Sequence, residues 1–313
     1  MKSNSSLQSK AAFTLTELCV VLGCVAVLAM LVLPALAGSK GNSQVFQCME
    51  NTRRLTLAWR MYVEDNSDQL ILSSDDGTGW ANPLNAYAWT LTHLDFSGKP
   101  SNWEPTMDIT TRPLYQYSKS PGIYKCPADT SKVTIASLPN GYTGPHKIGE
   151  SVPRVRSISM NFFLGGFGGH DASSGIGVGA WGTKFPVYRK LTELGNSGRT
   201  PGPAKTFVFI DERPDCINWG CFLTDMTGYP YGTHQQSPAQ YQWAADMPAS
   251  YHNYAGRLSF ADGHAEIHRW QDNVTLQPLK LDGVLSGPGS GAIFSDPHGQ
   301  DVAWMQNVTA RPR

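Results

Sequence analysis

Three groups of residues in this chain have the types and spacing to do chemistry. The first is His264, Glu266 and His268, which alternate along a short apolar-polar run. On an extended strand successive side chains point to opposite faces, so these three share one face, and His252 lies close enough in sequence to approach them. Imidazoles with a carboxylate suit zinc or a similar ion. A metal hydrolase built on His252, Asp262, His264 and His268 is the catalytic form of that reading. The same pattern describes the solvated side of a hairpin, and the structural reading is the simpler one. Asp262 is explained by turn chemistry, and His252 by a hydrogen bond to that turn.

The second group is the cysteines. Cys19 and Cys24 sit inside a strongly apolar run and read as apolar filler, whereas Cys48, Cys126, Cys216 and Cys221 lie beyond it. An even number in a region expected to face an oxidising periplasm points to disulfides, Cys48–Cys126 and Cys216–Cys221. Zinc held by four cysteines is the weaker alternative, because no C-x-x-C spacing occurs. The third group is acidic. Asp211 and Glu212 end the most hydrophobic β run, but neighbours on a strand face opposite ways, so they read as turn and cap residues rather than a catalytic pair. Asp282, Asp296 and Asp301 lack the ordered spacing of a calcium loop. No calcium or zinc cofactor is assigned.

These residues must be positioned by a chain of 313 residues with 25 basic and 25 acidic side chains. Zero net charge gives no basic stripe, which excludes nucleic acid bound through its phosphates. With 31 glycines, 21 prolines, 9 tryptophans and 12 tyrosines the body reads as loop-rich, aromatic and β-dominated. There is no phosphate-binding glycine loop, G-x-S-x-G elbow or HExxH helix, so the chain is expected to be non-enzymatic.

The element that organises the rest is the run Ala11 to Pro34, AAFTLTELCVVLGCVAVLAMLVLP. From Phe13 to Leu33 the only charged residue is Glu17, and about 20 apolar residues cross a bilayer core of roughly 30 Å. A membrane-spanning segment is therefore expected at 13–33. The leader before it carries Lys2 and Lys10 and no acid, which suits cytoplasmic retention. Two plainer readings are an ordinary signal peptide cut after Ala37 and an unprocessed anchor. The run is long for a signal-peptide core and holds an acid, which argues against the first.

Helical spacing resumes after Gly38 and Gly41. Val45, Met49, Thr52, Thr56 and Trp59, with Phe46, Leu55 and Tyr62 beside them, form an apolar stripe at intervals of three and four. One helix over 13–64 is expected, followed by a body over 65–313. In that body Thr206 to Ile210 should be a central strand. Asp262-Gly263 predicts a two-residue hairpin turn within 252–270, pairing Leu258 with Ile267, Phe260 with Ala265, and Arg257 with His268. Trp80, Trp89 and Trp103 read as packing residues, or alternatively as a glycan platform beside the glycine-rich stretch that follows Phe163.

The N-terminal stretch resembles the class III signal of type IV pilins and type II secretion pseudopilins: a short basic leader, a small residue, then F-T-L-x-E-L. The resemblance implies a leader of 1–12, cleavage by a prepilin peptidase between Ala12 and Phe13, and N-methylation of Phe13. It also implies assembly roles for Glu17 and for the helix-kinking Pro34. The family prefers glycine where this chain has Ala12. His252, nine intervening residues, then Asp262 and Gly263 are similar to the H-X9-DG domain found in large proteins that begin with such a signal. Cys48, Cys126 to Asp129 and Ile210 to Glu212 also resemble that group. The implied fold class is α+β: a long N-terminal transmembrane and amphipathic helix packed on a predominantly antiparallel, loop-rich, pilin-like domain. The implied function is a non-enzymatic pseudopilin of a type II secretion pseudopilus or type IV pilus-like filament. Its partners would be the peptidase, other pilin-like subunits and an inner-membrane assembly platform. Its location would be the bacterial inner membrane, single-pass, with the C-terminal domain in the periplasm or on an extracellular filament. The alternative is an anchored or secreted glycan-binding module.

Overall fold

A computed structural model describes residues 15–167, 185–195, 201–244, 246–280 and 293–312. The side chains of Glu17 and of residues 28–42 lie outside that description. The expected cleavage at Ala12–Phe13 and the roles of Glu17 and Pro34 fall there too, as does Asp282. The chain divides into two compact units, 1–45 and 46–313.

Helix α1 runs Leu15–Asp65. From Leu15 to Val27 its described side chains are exposed on every side, among them Leu15, Leu18, Val20, Val21, Leu22, Val25 and Val27. The expected transmembrane span is not found: among the described residues no helix is long and apolar enough to cross a membrane. The described apolar side chains from Leu15 to Val27 cover about 20 Å at 1.5 Å per residue, short of the roughly 30 Å required. The expected fold class is corrected accordingly. Among the described residues the chain is a sheet-rich mixed structure with few helices, rather than a transmembrane, pilin-like helix on a body. Single-pass placement in an inner membrane, with the body in a periplasm or on an extracellular filament, falls with the span. So do the transmembrane and pilin descriptions of the chain.

The second unit is built on a five-stranded sheet in the order β5-β3-β4-β7-β8. Its strands are β3 (Ile158–Asn161), β4 (Phe207–Asp211), β5 (Cys221–Phe222), β7 (Ala255–Phe260) and β8 (Ala265–Arg269). All neighbours pair antiparallel except β3 and β5. Two-stranded sheets, β1 (Lys132–Thr134) with β2 (Ser151–Pro153) and β6 (Gln242–Ala244) with β9 (Ile293–Ser295), lie outside it. On one face Leu55, Ala58, Trp59 and Tyr62 of α1 join a core with Met160, Val208 and Phe209. On the other, Val302, Met305 and Val308 of α3 (Gln300–Thr309) pack with Phe207, Ile210, Leu258 and Phe260. Short 3-10 turns, often opened by proline, and the one-turn helix α2 (Tyr115–Ser118) fill the connections, as the proline and glycine content requires.

Strand β4 does not alternate evenly. Phe207 and Ile210 face α3 while Val208 and Phe209 both face α1, at the point where the β4–β7 register shifts. Such an irregularity re-aims every later side chain on the strand. Its consequence here is that Asp211 points to the α1 side.

The hairpin forms, but one residue out of the expected register. Leu258 pairs with Glu266, Arg257 with Ile267, and Gly256 with His268. The loop holds three residues rather than two: the Gly263 N–H donates to the Phe260 carbonyl, and Gly263 takes φ +102°. A three-residue hairpin loop places glycine at its left-handed position, and Asp262 accepts from the His264 N–H across the bend. The slip moves Glu266 and His268 onto the face of Leu258 and Phe260, the α3 side, and leaves Arg257 on the other face with Asp211.

Candidate functional site

The described residues contain one group of three or more His, Cys, Asp or Glu side chains with converging donor atoms: Cys48, Cys126, Asp211 and His252. Each arrives on a different element. Cys48 lies on the sheet-facing side of α1, one turn before Thr52 and two before Thr56, whose hydroxyls donate to the carbonyls of Cys48 and Thr52. Cys126 follows a 3-10 turn at Pro121–Tyr124, and its N–H donates to the Ser157 hydroxyl at 2.8 Å. Asp211 ends β4 in the orientation set by the bulge. His252 precedes β7, where Asn253 (φ 53°) and Tyr254 (φ 65°) form a left-handed bend. Two successive non-glycine residues in that region cost about 1–2 kcal/mol each, so the bend is held by the strands around it. The His252 N–H donates to Ala255, and the Trp270 N–H to Tyr254.

The Cys48 and Cys126 sulfurs are 3.0 Å apart. His252 Nε2 lies 3.0 Å from the first and 3.3 Å from the second. Asp211 Oδ2 stands 3.8 Å from Cys48 Sγ. Arg257 Nε donates to Asp211 Oδ1 at 2.9 Å, and its Nη1 to the Cys48 carbonyl at 2.6 Å. Cys48, Cys126 and Asp211 are 0% exposed and His252 9%. Such closure shapes the protonation of the site. Burial pushes the Cys126 thiol up, but hydrogen bonds from Cys48 and His252 and the charge of Arg257 outweigh it, bringing it well below the usual range. The Cys48 thiol is driven up by its hydrogen bond to Cys126, by burial and by Asp211. Burial raises Asp211 to about 7 although Arg257 opposes it. The two sulfurs and the imidazole thus lie within hydrogen-bond reach of one another in a nearly closed place.

Cys48 and Cys126 of the first expected disulfide are brought together as free thiols. For the second pair, Cys216 packs in the α3-side core and Cys221 in the α1-side core. The histidines are divided. His264 stacks on Phe260 and bonds Asp262. His268 stacks on Trp304 at 3.6 Å between ring centres, and burial lowers its pKa to about 4. Glu266 shares that α3-side face beside His264 and Trp304. His252 is across the sheet from all three, so the expected set of His252, His264, Glu266 and His268 does not assemble. Trp89 and Trp103 are buried and only Trp80 is exposed, under the Arg112 guanidinium, which leaves no aromatic row for a sugar.

By its place at the end of the apolar run, Asp211 reads in the sequence as a turn residue. The signal that it is more is a carboxylate closing the most apolar strand, which cannot be buried without a cation such as Arg257. Glu212 is also fully buried, and burial beside Asp246 holds its carboxyl well above the usual range. Compared with family models, curated proteins and solved structures, the chain matches none.

Proposed function

We propose that this chain is a non-enzymatic structural subunit that assembles with copies of itself through the first part of α1 into a helical filament. The observation that carries this reading is the exposure of Leu15, Leu18, Val20, Val21, Leu22, Val25 and Val27 at 48–77%. A helix apolar all round is stable in water only when enclosed, and exposed patches of this size mark interaction surfaces. Another copy offers the same surface, and burial on all sides takes more than one neighbour. A bundle or filament meets that need where a dimer does not. The closed Cys48 site supports a structural role, since no substrate reaches it.

Cys19 and Cys24 make the test direct. Both are exposed, and at 100° per residue they stand about 140° apart around the helix. A short bismaleimide added to the full chain should give trimers and larger ladders, while Cys24→Ser or Cys19→Ser should stop at dimers. Monomer alone in all three proteins would overturn the reading.

A further inference from the structure

We propose that Cys48, Cys126 and His252, with Asp211 as fourth donor, form a structural site for a thiophilic divalent cation of the zinc kind. The inference stands independently of the assembly reading. Two sulfurs, an imidazole and a carboxylate are the donor set that tetrahedral zinc selects. Their ligand atoms all lie within 4.8 Å of one another. Zinc bonds of about 2.3 Å to sulfur and 2.0 Å to nitrogen place tetrahedral sulfurs about 3.7 Å apart, and sulfur and nitrogen about 3.5 Å apart. Here the sulfurs are 3.0 Å apart, the sulfur–nitrogen distances are 3.0 and 3.3 Å, and the sulfur–oxygen distance is 3.8 Å. Small side-chain rotations that part the sulfurs by about 0.7 Å admit the ion.

Charge and support agree with this. Binding releases the thiol protons to solvent, leaving two thiolates and the Asp211 carboxylate, three negative charges in all. The ion supplies two positive charges and Arg257 one, so the buried group closes at zero. Arg257 occupies Asp211 Oδ1 and leaves Oδ2 on the Cys48 side. Its other bond fixes the Cys48 carbonyl, while Ser157 fixes Cys126, the outer-layer support that metal ligands need. Four protein donors and no solvent access make the site structural rather than catalytic. A disulfide between Cys48 and Cys126 would satisfy the sulfurs alone and leave His252 and Asp211 aimed at an uncharged, weak acceptor.

The test uses the full chain purified under reductant, without chelator, for metal content by mass spectrometry, then stripped and titrated with cobalt(II). The expected result is one equivalent of cobalt with thiolate-to-metal charge transfer and intense tetrahedral d–d bands, competed off by zinc. Cys126→Ser and His252→Gln should each weaken cobalt binding tenfold or more, while Cys216→Ser and His264→Gln leave it unchanged. The wild-type titration decides the matter even where a ligand variant does not fold. Folded, reduced wild type that takes up no cobalt, or shows only the weak spectrum of oxygen ligation, overturns the proposal. So does a freshly purified chain two hydrogens lighter, with Cys48 and Cys126 in one linked peptide.

Discussion

Arg156 offers a quantitative test of how the loop-rich body is held. Its guanidinium, 1% exposed, donates to the carbonyls of Ile158 (3.0 Å), Thr92 (3.1 Å), Asn218 (3.1 Å) and Trp219 (2.6 Å). It thus pins the Thr92 and Asn218–Trp219 loops to β3. Replacing it with methionine keeps most of the volume and removes a 3.3 Å bond to the Ser159 hydroxyl and, at the carbonyls, four charge-assisted bonds. At about 1.5–3 kcal/mol each these total roughly 6–12 kcal/mol. Against this, the variant no longer buries a charge, a cost of several kcal/mol, and burial indeed holds Arg156 below its usual pKa. The net expected loss is about 4 kcal/mol. Arg154 makes the same kind of contact to only two carbonyls, Pro214 and Ile217, so Arg154→Met should lose about half as much. Urea unfolding followed by tryptophan fluorescence, with m-values compared, reads both. A loss below about 1 kcal/mol for Arg156→Met, or a reversed order, would refute the reasoning.

Other positions test different physics. His268 is held neutral down to about pH 4 by burial, whereas in the unfolded chain it titrates near 6.5. The unfolded state therefore binds more protons between those values, and stability falls as pH falls through the window. For this half-buried ring the contribution is about 1–2 kcal/mol after screening. Wild type should lose that much more than His268→Gln between pH 7.5 and 4.5, and equal losses would count against it. Gly165 has φ +86°, and a Cβ there would stand 2.0 Å from the Ile71 carbonyl oxygen. Gly263 has φ +102° and its nearest neighbour is Arg60 Cδ at 3.8 Å. Gly165→Ala should cost about 3 kcal/mol or more and Gly263→Ala about 1–2, as thermal melts would register. Similar losses would mean that backbone conformation, not collision, dominates at both.

What the sequence makes legible is what depends on near neighbours. The β-branched and aromatic run before Asp211 is the central strand β4, and Asp262-Gly263 does turn a hairpin. The register is not legible, because loops of two and three residues share the same Asp-Gly signal. The choice between them decides which face Glu266 and His268 take. The site is harder still. Cys48 meets Cys126, Asp211 and His252 across 78, 163 and 204 residues. Their meeting depends on the β4 bulge and the left-handed bend after His252, neither of which has a local signature. The apolar run misleads in the opposite way. Its composition alone predicts a bilayer span, and the described part of the helix does not supply one.

Sedimentation velocity of the full chain, beside a variant carrying Leu18→Glu and Val21→Glu, tests the assembly claim most directly. Wild type should sediment as species larger than a dimer, and the variant as a monomer with an unchanged unfolding midpoint for the body. A monomeric wild type, or assemblies that survive both charges, would contradict it.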